Sequence, residues 1–175
     1  MTGGYRYVLL IALAPWLLIS CASHPEPNAG PTFLLVRHAE KAADGSKDPA
    51  LSPAGQARAQ RIGAALRDVD LRAVYATRYR RTQQTAHTVA AAIRQTLPVL
   101  AYDADQPAAQ FAARLRDTHA SGTVLVVGHS NTVPAIAAAL CGCVASPLGD
   151  GDYGRVYRVE FDARGRSVLT ESVQP

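Results

Sequence analysis

The stretch Phe33–Lys41 reads FLLVRHAEK, and it joins a short apolar run directly to a group of polar and charged side chains. Residues 33–36 have the continuous apolar character of a strand that is buried on both faces of a parallel sheet. In open parallel sheets, ligands bind at the carboxyl ends of the strands. The residues that follow Val36 are therefore a candidate site by their position alone.

A second stretch has the same design. Residues 123–131 read TVLVVGHSN, so His129, like His38, follows an apolar run within two residues. Parallel strands end on the same side of a sheet, and we expect the two imidazoles to meet there together with Arg37. A guanidinium offers a planar fork that matches phosphate oxygens. Either histidine alone could be an ordinary loop residue, so the prediction depends on the pair together with Arg37.

Short apolar runs and alanine-rich segments alternate along the rest of the domain. Ser52 and Pro53 supply a helix cap and a first-turn proline, which predicts a helix to about Leu66. We predict further helices at 80–93, 107–119 and 132–140, strands at 71–76, 98–102 and 123–127, and a closing hairpin of 157–161 and 167–172. This alternation predicts an α/β fold, a three-layer αβα sandwich with a mostly parallel central sheet.

Residues 1–20 differ from the rest of the chain. One early positive charge, Arg6, precedes the apolar run 8–19, and residues 18–21 read LISC. The pattern resembles bacterial lipoprotein precursors, which implies a signal peptide at 1–20 and lipid on Cys21. The apolar run is shorter than the roughly 20 residues of a spanning helix. An uncleaved anchor and a secreted form cleaved elsewhere are the alternatives.

The segment 21–31 contains three prolines and no apolar periodicity, so it is typical of an extended tether. The enzyme-like domain is then expected at 32–175. These boundaries predict a lipid-anchored protein of the cell envelope, on the periplasmic side of the inner or the outer membrane.

The composition and charge of the chain limit the classes of binding partner to be expected. The 175 residues are 48% hydrophobic, which is enough for the core of one domain. The net charge is +4, but the basic residues are scattered, and no basic run or reading motif indicates nucleic-acid binding. Cys141 and Cys143 could form a strained disulfide or remain two buried thiols. A metal site is not favoured, because no matching Cys or His pair lies at ligand spacing.

Four segments resemble the histidine phosphatase superfamily, the phosphoglycerate-mutase-like group. RHAEK at 37–41 is similar to the family's Arg-His-Gly signature, with alanine in the glycine place. LSPAGQARA at 51–59 is similar to its first helix start, and VVGHSN at 126–131 is similar to its second-histidine segment. YATRYRRTQQTA at 75–86 resembles a third segment and places the family's second arginine at Arg81.

The resemblance implies a phosphate pocket of Arg37, His38, Arg81 and His129. His38 would attack phosphorus and carry the phosphoryl group while a phosphomonoester or phosphoramidate is hydrolysed. The cationic side chains would supply the electrostatics, so no metal or other cofactor is implied. The expected partner is a small phosphorylated substrate. A catalytically silent envelope lipoprotein that binds phosphorylated ligands is the alternative.

The acid that protonates the leaving group is less evident. Some members of the family have an acidic residue directly after the second histidine, where this chain has Ser130. Asp103 and Asp105, after the third predicted strand, are the candidates, although Asp105 also has the position of a helix cap. Glu40 and Asn131 are candidate substrate contacts, and Asn131 could instead cap the helix that follows.

Overall fold

A computed structural model describes residue 1 and residues 30–93 and 97–174. Within these ranges, strands and helices alternate until a final hairpin. The elements are β1 (Thr32–Arg37), α1 (Pro53–Ala65), β2 (Leu71–Ala76), α2 (Arg80–Ala92), β3 (Val99–Ala101), α3 (Ala108–Thr118), β4 (Thr123–Gly128), α4 (Thr132–Cys141), β5 (Arg155–Phe161) and β6 (Ser167–Val173).

The strands form one sheet in the order β3-β2-β4-β1-β5-β6. β1 pairs in parallel with β4, β4 with β2, and β2 with β3, whereas β5 and β6 are antiparallel to their neighbours. The two central strands, β1 and β4, are buried over all but their first residue, as their continuous apolar sequence predicts. The predicted fold class, with a mostly parallel sheet, is confirmed.

The two faces of the sheet are covered by different pairs of helices. Phe33 and Leu35 of β1 lie in a core cluster with residues of α3 and α4, and Leu34 and Val36 lie in a second cluster with residues of α1 and α2. Burial of each such side chain contributes about 1.5–3 kcal/mol. The alternating sides of a single strand thus hold together the three layers.

The start of α1 is set by local chemistry next to the candidate site. The Ser52 hydroxyl accepts a hydrogen bond from the Gly55 amide at 3.1 Å, and Pro53 begins the helix, as predicted. Gly55 packs directly against the backbone of Glu40, where a Cβ atom would overlap the carbonyl oxygen. Glycine at this position therefore lets α1 approach the segment that follows His38.

The remaining element boundaries agree with the sequence predictions to within two residues, and β5 begins at Arg155 rather than at residue 157. Cys141 and Cys143 are joined by a disulfide at the end of α4, where Gly142 adopts a left-handed conformation with φ of 63°. The predicted signal peptide at 1–20 and the lipidation site Cys21 lie outside the described residues, apart from Met1. Among the residues that the structure describes, no helix has the length and apolar character needed to cross a bilayer.

Candidate active site

The ends of β1 and β4 bring the two histidines together. Arg37 is in register with Gly128, and the His38 amide donates to the Gly128 carbonyl at 2.8 Å. The rings of His38 and His129 are 5.4 Å apart, and both residues are buried. The residues thus meet at the carboxyl end of the central strands, although 91 positions separate them in the sequence.

The tautomer of His38 is set by a backbone hydrogen bond. Its Nδ1 lies 2.7 Å from the Ala39 carbonyl oxygen, which can only accept, so Nδ1 carries the proton. Nε2 therefore has a free lone pair, and it accepts a hydrogen bond from Arg81 Nε at 3.2 Å. Burial, and then the charges of Arg81, His129 and Arg37, lower the pKa of His38 to about 3, against the opposing effect of the Ala39 hydrogen bond.

Arg37 is buried and held by a remote loop. Its Nη1 donates to the carbonyl oxygens of Gly149 at 3.0 Å and Asp150 at 2.8 Å, and its guanidinium carbon lies 4.1 Å from the centre of the Tyr153 ring. Nε is buried and has no hydrogen-bond partner. The guanidinium therefore retains unused donors at the site.

Arg81 comes from the first turn of α2. Its Nη1 lies 3.5 Å from the Asp48 carboxylate, and its guanidinium carbon lies 4.6 Å from the centre of the Tyr79 ring. The same carboxylate accepts from the Arg80 amide at 3.0 and 3.2 Å, at the start of a helix that has no side-chain cap of its own. Asp48 thus connects its loop both to α2 and to Arg81.

His129 is supported by two threonine hydroxyls. Its Nε2 lies 2.9 Å from Thr77 Oγ1, which in turn lies 2.8 Å from Thr82 Oγ1. Burial, and then the charges of Arg81 and Arg37, lower the pKa of His129 to about 4. Both imidazoles are therefore neutral near pH 7, and the two guanidiniums give the centre of the site the charge that a phosphate dianion requires.

These residues line a cavity of about 370 Å³. Its wall consists of Arg37, His38, Lys41, Tyr79, Arg81, Ala104, Asp105, His129, Ser130, Asn131, Thr132 and Asp150. All four predicted catalytic residues are among them. Their roles remain predictions, but the structure brings them to one cavity.

Glu40 is not among the residues that line this cavity, and its contact with a substrate stays a prediction. Both of its carboxylate oxygens are within 3.0 Å of Arg58, the shortest distance being 2.6 Å. The hydrogen bond from Arg58 is the largest of the effects that lower the pKa of Glu40. The carboxylate therefore ties α1 to the segment after β1.

The structure separates the two candidate acids. Asp105 lines the cavity, whereas Asp103 lines a different cavity beside Tyr102 and accepts a hydrogen bond from the Asp105 amide at 3.0 Å. The helix cap expected as the alternative for Asp105 is not formed, because Pro107 occupies the cap position of α3 without a side-chain hydrogen bond. Asp105 thus lies at the same cavity as the four predicted catalytic residues, and Asp103 does not.

The side chain of Asn131 does not cap α4, which was the alternative to a contact with substrate. It occupies the cap position of α4 but makes no side-chain cap hydrogen bond, and it lines the cavity. Thr132 takes the local structural role, since its hydroxyl accepts from the His129 amide at 2.9 Å. The Asn131 side chain is left available for a substrate.

Several residues of the site were not predicted. Tyr153 packs against Arg37, whereas the nearby Tyr157 is fully buried in the core. Tyr79, Asp48 and Thr77 have no motif that marks them. Thr77 and Tyr79 lie within the segment YATRYRRTQQTA, whose resemblance to the family was the one indication that they are near the site. Among the described residues, no group of three His, Cys, Asp or Glu side chains is arranged to hold a metal.

Comparison with known proteins agrees with this geometry. Residues 33–105 match the sequence model of the histidine phosphatase superfamily (branch 1). No curated protein sequence is significantly similar to the chain. The predicted resemblance to the superfamily is confirmed by the family model and by the fold of the following solved structures.

The protein histidine phosphatase SixA in complex with tungstate is 20% identical, with a TM-score of 0.66 over 81% of this chain and 96% of its own. A protein from Nakamurella multipartitia that bears the name phosphohistidine phosphatase SixA is 25% identical, with a TM-score of 0.60 over 86% of this chain and 98% of its own. The phosphoserine phosphatase of Entamoeba histolytica in complex with 3-phosphoglyceric acid is 16% identical, with a TM-score of 0.63 over 83% and 97%.

We expect His38 to remain neutral, with its proton on Nδ1, down to about pH 4, because its pKa is lowered from 6.5 to about 3. Since the unfolded chain takes up this proton more readily, protonation favours unfolding, and the stability that neutral His38 permits is lost as pH falls from about 6.5 toward 3. Long-range ¹H–¹⁵N NMR of the imidazole, assigned with His38→Ala, measures the tautomer and the pKa of His38 in the folded protein. The same measurement on the urea-unfolded protein gives the reference pKa. A midpoint near 6.5, or a proton on Nε2, contradicts the geometry.

Proposed function

We propose that this protein is a phosphatase that hydrolyses a phosphomonoester or a phosphoramidate through a phosphohistidine on His38. One observation carries the proposal: Nε2 of His38 is unprotonated and faces Arg81, because Nδ1 carries the proton and is bonded to the Ala39 carbonyl at 2.7 Å. Two guanidiniums and a second buried imidazole surround it, which is the donor set that a phosphoryl group requires.

The first step transfers the phosphoryl group to the enzyme. The substrate phosphate binds between Arg37 and Arg81. The hydrogen bond that Arg81 Nε donates to His38 Nε2 is then replaced by one to a phosphate oxygen, which releases the Nε2 lone pair. The Nε2–P bond then forms while the bond from phosphorus to the leaving oxygen, or nitrogen, breaks in line with it. The leaving atom takes a proton from an acid, and the guanidiniums stabilise the charge on the equatorial oxygens.

The second step returns the free enzyme. The acid that gave up its proton in the first step is now a carboxylate, and it takes a proton from the water that attacks phosphorus. The P–Nε2 bond breaks, and phosphate leaves neutral His38. The two arginines supply the electrostatic stabilisation in both steps, so we propose that the reaction needs no metal ion.

We assign the acid role to Asp105. It is the candidate acid that lines the cavity, whereas Asp103 lines another and braces the Asp105 backbone. Asp150 also lines the cavity, and its carbonyl oxygen is engaged by Arg37. A leaving group that is already acidic would depend less on this proton.

The main test is turnover of p-nitrophenyl phosphate by the purified protein in EDTA. We expect hydrolysis, and a loss of roughly 1,000-fold or more in His38→Ala, since removal of the nucleophile leaves only binding and electrostatic effects. His87→Ala, at an exposed position of α2, is the matched control and should retain activity. Binding of inorganic phosphate without turnover in the wild-type protein would support the silent ligand-binding lipoprotein instead.

Asp105→Asn tests the acid. General acid catalysis contributes typically 10²–10⁴-fold, so we expect a loss of about 100-fold or more in kcat for an alkyl phosphate such as glycerol phosphate. The loss for p-nitrophenyl phosphate should be much smaller, because its leaving group needs little protonation. Asp103→Asn is the control. Equal losses for the two esters would remove Asp105 from this role.

We also propose that the protein is anchored in the cell envelope by lipid on Cys21. The support is the sequence pattern of residues 1–21 and the proline-containing segment up to residue 31. We expect the protein to incorporate labelled palmitate in bacteria and to move to the soluble fraction, or to accumulate as the precursor, in Cys21→Ser. Equal labelling of wild type and Cys21→Ser would exclude this anchor.

A further inference from the structure

The segment between α4 and β5 contains a loop, residues 149–153, that closes over Arg37. The loop follows all four segments that carry the family motifs and lies outside the residues matched by the family model. It is braced by its own hydrogen bonds: the Gly149 amide donates to the Asp152 carboxylate at 2.9 Å, and the Asp152 amide donates to the Gly149 carbonyl at 3.1 Å. The loop therefore presents its carbonyl groups in a defined arrangement.

The start of this segment is also fixed to the body of the domain. Tyr157 of β5 donates its hydroxyl to the Ser146 carbonyl at 2.5 Å, and the Ser146 amide donates to the Glu171 carboxylate at 2.8 Å. At the other end, the Gln174 amide donates to the Gly154 carbonyl at 2.8 Å. These contacts make the closing hairpin a support for the loop, and thereby for the site.

The loop uses one end of the guanidinium of Arg37. Carbonyl oxygens of Gly149, Asp150 and Asp152 lie 3.0, 2.8 and 3.5 Å from Nη1. The Tyr153 ring covers the plane of the group, with 4.1 Å between the guanidinium carbon and the ring centre. A cation held over the face of an aromatic ring is attracted by the ring's quadrupole, so this contact stabilises the guanidinium in its position.

What remains of the guanidinium is the edge formed by Nε and Nη2. Nε is buried without a hydrogen-bond partner. Among the described residues, the hydrogen bonds found for this guanidinium all come from Nη1. These two N–H groups are parallel, which is the fork that binds two phosphate oxygens at once. A buried donor without a partner is unfavourable, and an anion at this edge would give it one.

We propose that Tyr153 is a positioning residue for Arg37: together with the carbonyl groups of its loop it holds the guanidinium so that the Nε–Nη2 edge receives the phosphoryl group. The inference rests on the proposed function for its kinetic consequences, but the orientation itself can be measured without turnover. Tyr153 is not among the residues that line the cavity. Its ring centre lies 4.1 Å from the guanidinium carbon of Arg37 and 5.9 Å from the ring centre of His38, so Arg37 is its nearer partner at the site.

Kinetics with p-nitrophenyl phosphate form the first test. Tyr153→Phe keeps the ring face and should retain kcat/KM within about twofold, whereas Tyr153→Met, which keeps bulk without the ring, should lose about tenfold to thirtyfold. In an Arg37→Ala background, Tyr153→Met should lower kcat/KM by a clearly smaller factor than in the wild type, because the contact with the guanidinium is gone and the one with the His38 ring remains. Equal losses in both backgrounds, or a loss in Tyr153→Phe as large as in Tyr153→Met, would overturn the proposal.

A second measurement needs no variant that could fail to fold and no turnover. In ¹⁵N NMR of the wild-type arginine side chains, a held guanidinium gives separate Nη signals for Arg37, and inorganic phosphate should shift its Nε–H signal. One averaged Nη signal in the free protein, or no Nε–H shift at saturating phosphate, would show that the loop does not orient this edge. If orientation is found but no ester is hydrolysed, the proposed phosphatase function fails and the positioning of Arg37 stands.

Discussion

The parallel pairing of β1 with β4 is the constraint on which the site depends. Because Arg37 and Gly128 are in register, the chain leaves both strands at one level, and the His38 amide reaches the Gly128 carbonyl at 2.8 Å. The two imidazoles are then 5.4 Å apart. Burial of both central strands between two layers of helices keeps this edge of the sheet rigid, which is the condition for a preorganised anion site.

The same burial determines the charge state of the site. Desolvation, reinforced by the nearby guanidiniums, lowers the pKa of His38 to about 3 and that of His129 to about 4, so neutral imidazoles lie beside permanently charged arginines. In the proposed function, nucleophilic attack and electrostatic attraction therefore belong to different side chains. The surrounding hydrogen bonds serve this division, since Ala39 sets the tautomer of His38 and the loop at 149–152 takes up Nη1 of Arg37.

The sequence predicted the sheet and the helices well, because buried strands such as Phe33–Val36 are continuous apolar runs and helix starts such as Ser52-Pro53 have local signals. It also predicted the convergence of Arg37, His38, Arg81 and His129, which follow strand ends or lie in a recognisable segment. The ion pair of Glu40 with Arg58 could not be predicted, because proximity along the chain does not fix the direction of a side chain. Tyr153 and Asp48 could not be found, since their contacts with Arg37 and Arg81 form only through tertiary loops.

The direct measurement is a crystal structure of the protein with orthovanadate, which imitates the trigonal bipyramidal phosphoryl group in transfer. The account predicts vanadium bonded to His38 Nε2, with equatorial oxygens on the Nε–Nη2 edge of Arg37, on Arg81 and on His129. Vanadate bound elsewhere, or bound at this cavity without contact to His38 Nε2, would contradict the claim that these side chains form one phosphoryl-transfer site.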